Sequence, residues 1–336
     1  MITLAQAQTL TQDKLYLGVI DELRRDKLLE IMVFDNAAQL SGGSTLNYVY
    51  NKITKHSTAG FRAINGNYTD DETTTDQTTV TLKILGGDYK IDRVIGKYVK
   101  GIVQQEAFQL EQKIKAIKSK FSWAFIRGNK TKNKDEYDGL EALIANSMRL
   151  DDNIDLSTAA KISKNFTALT DAFRDMEAEM GEAPTAWFCS PEGFALIQKI
   201  ADRATGFTTV KDEFGKQTLY FNGTPFVKLG DISTTKNSVI ETDAATGKTA
   251  FYPVRLALDG CHAISPEGND AGISVYPIDT ASSETVRKGS CEMVTGIALK
   301  NYRAAGKVSV QIKATQTNTP PSTEESGSNE GGEQAS

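Results

Sequence analysis

Histidine and cysteine are scarce in this chain of 336 residues, which has only two His and three Cys. Cys189, Cys261 and Cys291 are far apart and form no CxxC pair, so we expect neither a disulfide framework nor a zinc site. His262 follows Cys261 directly, and neighbouring residues of a strand point to opposite faces, which argues against a cysteine–histidine nucleophile. His56 lies in a polar stretch. The sequence therefore predicts no catalytic residue, no metal site and no cofactor.

Long hydrophobic runs are also missing. The first residues, MITLAQAQTL, carry no positive charge, so we expect neither a signal peptide nor a membrane span, and a chain made in the cytoplasm. Lys and Arg number 38 against 43 Asp and Glu, giving a net charge of -5. That balance argues against a dedicated nucleic-acid-binding protein, because any basic contact surface has to be local.

One segment imitates a nucleotide site. Gly247-Lys248-Thr249 ends like a phosphate-binding loop, but Thr242 stands where that loop requires its first glycine. The segment lies between two strand-like stretches, at 239–240 and 250–252. We therefore predict the tip of a hairpin there.

The clearest helical pattern covers residues 102–127. Its apolar residues recur at alternating spacings of four and three, which places them on one stripe of a helix: Val103, Ala107, Leu110, Ile114, Ile117, Phe121 and Ala124. Basic residues occupy much of the remaining surface, among them Lys113, Lys115, Lys118 and Lys120. Gly128 and Asn129 are predicted to end the helix in a left-handed conformation. On helix geometry alone, this is a core helix with a solvated basic face.

A long hairpin precedes this helix. Leu46, Tyr48 and Tyr50 alternate with Asn47, Val49 and Asn51 as in a strand. A partner strand begins near Val80 and is expected to stay paired through Ile91. About two dozen mostly polar residues separate the two strands, and such a long loop is normally functional or a contact arm.

Opposite charges divide this hairpin. Its ascending part is basic, with Lys52, Lys55 and Arg62, and its tip is acidic, with Asp70, Asp71 and Glu72. These residues are candidates for contacts with neighbouring subunits, where charge complementarity fixes register. Solvated loop charges on a monomer explain the composition equally well.

The flanking segments complete an α+β chain. At the N-terminus, a helix from about Gln12 leads into an apolar stretch at 28–34, which belongs either to the core or to an arm packed on a neighbour. After residue 150, we predict a helix capped by Ser157, a buried strand at 185–189, a helix opened by Pro191 and a hairpin at Asn222-Gly223. Strands follow to residue 313. Residues 315–336 are expected to be disordered.

The order of these segments resembles the major capsid proteins of tailed bacteriophages with the Hong Kong 97 fold. The resemblance covers roughly residues 10 to 313 and rests on the helix 102–127 as the spine, the hairpin as the extended E-loop, and Asp138-Gly139-Leu140 as the entry to the next domain. It implies an N-terminal arm (1–41), an E-loop (42–95), a peripheral domain (96–150 and 285–314), an axial domain (151–284) and a tail (315–336).

The resemblance implies a structural subunit rather than an enzyme. Such subunits form hexamers and pentamers that close into an icosahedral shell around double-stranded DNA, assembled in the host cytoplasm. The implied partners are further copies of the chain, a portal, decoration proteins and a separate scaffold protein, since only about forty residues precede the hairpin. No membrane is involved. Lys113, Lys115, Lys118 and Lys120 would form an inward basic face that meets DNA phosphates without reading sequence.

Two alternatives stay open. The same fold also builds encapsulin-like shells that load a protein cargo. A different class of protein, a two-domain enzyme with the hairpin as an active-site lid, requires a pocket with convergent titratable groups beneath that lid.

Overall fold

The computed structural model describes residues 28–35, 46–55, 57–68, 70–94, 102–151, 153–211, 217–232, 235, 237–266, 273–278 and 284–314. The predicted first helix near Gln12 and the predicted disordered tail lie outside the described residues. The helices are α1 (Leu28–Ile31), α2 (Ile102–Arg127), α3 (Leu140–Leu143), α4 (Ala159–Met180) and α5 (Pro191–Ala201). The strands are β1 (Phe34–Asp35), β2 (Asn47–Lys55), β3 (Thr74–Thr81), β4 (Lys83–Asp92), β5 (Arg149–Leu150), β6 (Ala186–Cys189), β7 (Phe207–Lys211), β8 (Gln217–Phe221), β9 (Thr224–Lys228), β10 (Lys248–Val254), β11 (Cys261–Ile264), β12 (Ser274–Tyr276), β13 (Val286–Leu299) and β14 (Lys307–Gln311).

Helix α2 has the predicted bounds. It contains neither glycine nor proline, and its apolar stripe packs against β4 and β13. Its last two turns are buried almost all round, with Phe121, Phe125 and Ile126 fully enclosed. Buried Ser119 donates to the carbonyl of Asp231 at 2.6 Å, so the helix also holds the loop before β10. No helix in the described part of the chain is long and apolar enough to cross a membrane.

The predicted reason for the end of α2 is wrong. Gly128 is absent from the left-handed residues of the described chain. A Cβ on Gly128 would lie 2.4 Å from the Tyr137 carbonyl oxygen, and a Cβ on Gly139 would lie 2.3 Å from that of Ala124. The Gly139 amide also donates to the Gly128 carbonyl at 2.8 Å. The two glycines are therefore required by the close approach of two backbone segments.

A five-stranded sheet supports α2. Strand β13, of 14 residues, is its centre and pairs with β11, β12 and β4. Strand β1 adds to β11 in parallel, and Leu28 and Met32 beside it are buried in the core of the same chain. Residues 28–35 thus pack on their own subunit, as the core-helix alternative for this segment expects.

The hairpin differs from the prediction at both ends. Strands β2 and β3 pair with each other over Asn47–Lys55 and Thr74–Thr81, so regular structure reaches further towards the tip than the sequence suggested. Beyond Leu82 the chain changes partner, and β4 pairs with β13 over ten residues instead of continuing the hairpin. From here on, "the hairpin" denotes β2, β3 and the residues between them, and "the tip" denotes residues 57–68 and 70–73.

A seven-stranded sheet forms the other half of the core, in the order β5-β14-β10-β6-β9-β8-β7. Phe173 of α4 contacts four aromatic rings of this sheet, at centroid distances of 4.5 to 6.0 Å: Trp187, Phe221, Phe226 and Phe251. Thr158 caps α4 in place of the predicted Ser157, while Ser190 caps α5 as predicted. The predicted turn at Asn222-Gly223 is confirmed, with φ of 45° and 87°.

The two sheets share one continuous hydrophobic core. Strand pairing crosses the boundaries expected from sequence. Strands β11 and β12 join β13 in the five-stranded sheet, although residues 151–284 were assigned to the axial domain. Strand β14 lies between β5 and β10 in the seven-stranded sheet, although residues 285–314 were assigned to the peripheral domain. The division of the chain into domains stays a prediction.

Candidate contact surfaces

The tip of the hairpin presents large apolar side chains to solvent. Phe61 is 109% exposed, Ile64 93% and Tyr68 64%. The tip has no helix or strand among its described residues, so these side chains are held out by a loop alone. Several large apolar side chains exposed on one loop are typical of a contact surface.

Asp71 organises the tip from inside. Its carboxylate accepts a hydrogen bond from the Lys55 ammonium, from the Thr58 amide at 3.1 Å and from the Thr58 hydroxyl at 2.8 Å. These bonds, that of Lys55 first, hold the pKa of Asp71 below its usual range. Lys55 and Asp71 therefore close the loop within one subunit, which leaves them less free for a contact between subunits.

The other predicted hairpin charges are distributed along the arm. The Arg62 guanidinium lies 5.3 Å from the centre of the Tyr68 ring, which ties a charge to the apolar cluster. Asp70 and Glu72 are exposed at the tip. Lys52 lies on β2 near the base, half-buried and 5.6 Å from the centre of the Tyr50 ring. The six charges thus do not form one surface.

The base of the hairpin is fixed to the body of the subunit. The Tyr48 hydroxyl donates to Asp35 at 3.1 Å, and the Tyr50 hydroxyl donates to the Leu299 carbonyl at 3.2 Å. Tyr48 also packs edge-on against His262, with ring centroids 6.2 Å apart. Around them lies a small hydrophobic cluster separate from the main core: Tyr48, Leu82, Ile264 and Ala298.

Burial sets the ionisation of His262. The residue is 0% exposed, and burial, with the Lys300 cation acting in the same direction, lowers its pKa to about 4. His262 is therefore neutral at pH 7 and belongs to the hairpin base, as the structural interpretation expects.

The four spine lysines lie on two sides of α2. Seven residues span close to two helical turns, so Lys113 and Lys120 share one side, and Lys115 and Lys118 lie on roughly the opposite side. Lys113 lies against β4, with its Nζ 3.2 Å from the position of a Cβ on Gly87. Lys120 binds Glu136 at 3.0 Å and lies 3.5 Å from the centre of the Trp123 ring.

The surroundings of Lys115 and Lys118 reduce the predicted basic face further. Lys115 forms an ion pair with Glu111 at 2.9 Å, whereas Lys118 is exposed. A single basic face made of all four lysines is therefore wrong. Any basic surface that α2 turns away from the core of its own subunit centres on Lys118 and the adjoining Lys115.

A cleft of about 1180 Å³ lies between the end of α2, the start of α5 and strands β10 and β14. Its cations are paired with carboxylates, which removes the free charge that would attract a ligand: Arg127 with Glu241, Lys248 with Asp151, Lys307 with Glu141, and Lys313 with Glu192. None of the described residues 46–94 lines this cleft. The hairpin is thus no lid over it, contrary to the enzyme alternative.

Other chemistry-bearing residues are equally unsuited to catalysis. The Gly247 segment is a turn closed by the Asp243 carbonyl, which accepts the Gly247 amide at 2.7 Å. Gly247 has a φ of 68°, so the predicted turn is confirmed. Val239 and Ile240, which precede this turn, form no strand, so the predicted hairpin is wrong. The three cysteines are free and buried, and burial raises the pKa of Cys261 to about 12. No group of three or more potential metal ligands occurs among the described residues.

The apolar tip residues were missed by sequence reasoning, which followed the charges. A signal was present, because Phe61, Ile64 and Tyr68 stand at intervals of three and four in an otherwise polar stretch.

Comparison with known proteins places the fold. No protein-family model matches the sequence, and no curated protein is significantly similar to it. Among solved structures, the chain is similar to the SrpI encapsulin of Synechococcus elongatus PCC 7942, with a TM-score of 0.63 and 13% identity over 94% of this chain and 99% of that chain. A structure from Mycobacterium phage Bobi gives 0.57 and 11% identity over 93% and 99%.

The capsid of Myoviridae phage XM1 is also similar, with a TM-score of 0.55 and 13% identity over 92% of this chain and 99% of that chain. These structures match nearly the whole chain end to end, in both directions. The chain therefore has the Hong Kong 97 fold, which phage capsids and encapsulins share.

Proposed function

We propose that this chain is the major capsid subunit of a tailed bacteriophage and assembles through hexamers and pentamers into an icosahedral shell around double-stranded DNA. The observation that carries this proposal is the hairpin, whose base is fixed to its own subunit while its apolar tip is covered by none of the residues that the structure describes. A second copy of the chain is the natural occupant, since every subunit of a closed shell has identical neighbours.

The energetics favour a shared surface. Phe61 and Ile64 are almost completely exposed, and burying either side chain against a neighbour contributes about 1.5–3 kcal/mol. Repeated at every subunit, such a contact stabilises a shell without a large interface at any one place. The role is structural rather than enzymatic, in keeping with the paired charges of the 1180 Å³ cleft and the buried thiols.

Packaged DNA is the proposed content of the shell. Lys118, exposed on α2, supplies positive charge that meets phosphates without reading sequence. A separate scaffold protein, a portal and decoration proteins complete the proposed assembly, which forms in the host cytoplasm and ends in the virion.

An encapsulin-like shell is the second candidate, because the SrpI encapsulin gives a TM-score of 0.63, against 0.57 for the structure from phage Bobi. Most of the similar structures come from phage capsids, so the capsid is the function we propose first. Nucleic-acid content separates the two, because a capsid encloses DNA whereas a nanocompartment encloses protein.

Electron microscopy of the purified full chain, expressed alone and with the proteins encoded beside it, tests the proposal. We expect closed shells or ring-shaped capsomers, and nuclease-protected DNA in shells recovered from infected or induced cells. A chain that stays monomeric under every condition would contradict a shell role, and protein-filled shells without DNA would favour the nanocompartment.

A further inference from the structure

A second, smaller cavity of about 320 Å³ lies between the base of the hairpin and the segment that follows α2. Tyr50, Lys52 and Thr78 line it from the hairpin side. From the other side it is lined by residues of the segment 130–138, with Lys134 and Tyr137 among them. The cavity therefore lies where the hairpin meets the body of the subunit.

Positive charge exceeds negative charge in this cavity. Four lysines line it, at positions 52, 83, 130 and 134, against two carboxylates. Both carboxylates are already neutralised, Asp138 by Lys130 at 2.8 Å and Glu136 by Lys120 from outside the cavity at 3.0 Å. Neither carboxylate is therefore available to neutralise the other lysines that line the cavity.

Lys52 and Lys134 form no ion pair with a carboxylate anywhere in the part of the chain that the structure describes. Lys83 reaches across to donate to the Lys134 carbonyl at 2.6 Å, which joins the start of β4 to the far wall. Lys52 is half-buried, and burial lowers its pKa because no anion offsets the loss of water.

Tyr137 lines the cavity but contributes no donor to it. Its side chain is only 5% exposed, and its hydroxyl is enclosed by protein atoms and makes no hydrogen bond within the described chain. Burial, together with the Glu136 charge, raises the pKa of Tyr137, so the enclosed hydroxyl stays protonated. The charged donors of the cavity are therefore its lysines.

We propose that this cavity binds a phosphate group, with Lys52 and Lys134 as its donors. Ammonium groups carried on two walls of one cavity suit a tetrahedral oxyanion with several acceptor oxygens. Because the donors stand on both β2 and the segment after α2, a bound phosphate ties the hairpin base to the body of the subunit. The phosphate comes either from free inorganic phosphate or from the backbone of a nucleic acid.

Melting of the purified full chain tests the proposal. Inorganic phosphate and pyrophosphate are added at constant ionic strength, with chloride as the reference, because salt alone screens surface charge. We expect the melting temperature to rise with phosphate concentration but not with chloride, as for any ligand that binds only the folded state. Unassembled subunits suffice for this measurement.

Two variants identify the site. Lys52→Gln and Lys134→Gln should each weaken phosphate binding about tenfold, the loss expected for one hydrogen bond to a charged group. Lys164→Gln, which removes an exposed lysine of α4 far from the cavity in sequence, is the matched control and should leave binding unchanged. Tyr137→Phe is a second control, because its enclosed hydroxyl does not reach the cavity, and it should also leave binding unchanged.

Competition with DNA distinguishes the two sources of phosphate. If a short DNA duplex competes with phosphate and is weakened by the same variants, the ligand is a nucleic-acid backbone; if it does not compete, the ligand is free phosphate. No phosphate effect on melting, or an equal effect in all variants, overturns the proposal. Loss of assembly in Lys52→Gln without measurable phosphate binding also overturns it and assigns the cavity to a carboxylate of a neighbouring subunit.

Discussion

Replacing the apolar tip residues should block assembly while leaving the subunit folded. The variant carries Phe61→Ser and Ile64→Ser, which are 109% and 93% exposed in the single chain. Full burial of each side chain stabilises by about 1.5–3 kcal/mol, so the two together contribute about 3 kcal/mol at the lower end, where docking covers only part of each. At about 1.4 kcal/mol for each factor of ten, the contact between subunits weakens roughly a hundredfold.

Assembly is measured by sedimentation and electron microscopy over a range of protein concentrations. We expect the concentration at which shells or capsomers appear to rise about a hundredfold for the double variant. Leu258→Ser is the matched control, because Leu258 is also apolar and 52% exposed but stands outside the hairpin. Urea unfolding should be unchanged in both variants, since surface substitutions alter stability by less than about 0.5 kcal/mol.

Assembly of the double variant at the wild-type concentration would refute this reasoning, because it would leave the exposed tip without a partner. Equal loss in Leu258→Ser would also refute it, since assembly would then depend on general surface hydrophobicity rather than on the tip.

Three further predictions concern the subunit itself. Gly139→Ala should destabilise it by about 1–3 kcal/mol or more in urea, because the new Cβ would stand 2.3 Å from the Ala124 carbonyl oxygen, while Gly60→Ala, with open space around it, should be neutral. Phe173→Ala should cost about 3–5 kcal/mol, and a loss below 1 kcal/mol would show that the aromatic cluster is not a stability centre. His262 has a pKa of about 4 when folded and 6.5 as a free side chain, so the unfolded chain binds more protons in that window. Stability should therefore fall by about 3 kcal/mol from pH 6.5 to 4, and His262→Leu should flatten this slope in pH-dependent melting.

Local patterns predicted the elements of this fold well. The stripe of apolar residues predicted α2 with its observed bounds, and the turn at Asn222-Gly223 was confirmed because both residues tolerate positive φ. Neighbouring hydroxyls were harder to separate, since Ser157 and Thr158 offer the same capping chemistry and only the backbone decides between them.

Contacts between distant segments could not be predicted. The sequence of β4 continues the alternation of the hairpin, and nothing local shows that its partner is β13, some two hundred residues further on. The close approach of Gly128 and Gly139 is equally a property of the folded chain. In contrast, the division of the spine lysines follows from helical period alone, so the sequence already contained the evidence against a single face.

The role of the hairpin as a contact arm, inferred from its length and charge, stays a prediction. Two of the charges predicted to make the contact, Lys55 and Asp71, bind each other within the tip. The residues that carry the proposed contact are instead apolar, because a charge on a solvated loop keeps its water and its partner, whereas an exposed Phe61 gains only by being covered.

The hairpin owes its suitability as a contact arm to the difference between its two ends. At the base, the hydrogen bonds of Tyr48 and Tyr50 fix β2 to the body, and at the tip Asp71 closes the loop before any neighbour arrives. An arm ordered in advance loses little conformational entropy on docking, so the apolar contribution of its tip is retained in the contact. A freely moving lid would lose much of that contribution to ordering. A tip variant should therefore lose nearly the whole burial energy of Phe61 and Ile64, and weakening the base with Tyr50→Phe should lower assembly without touching the tip.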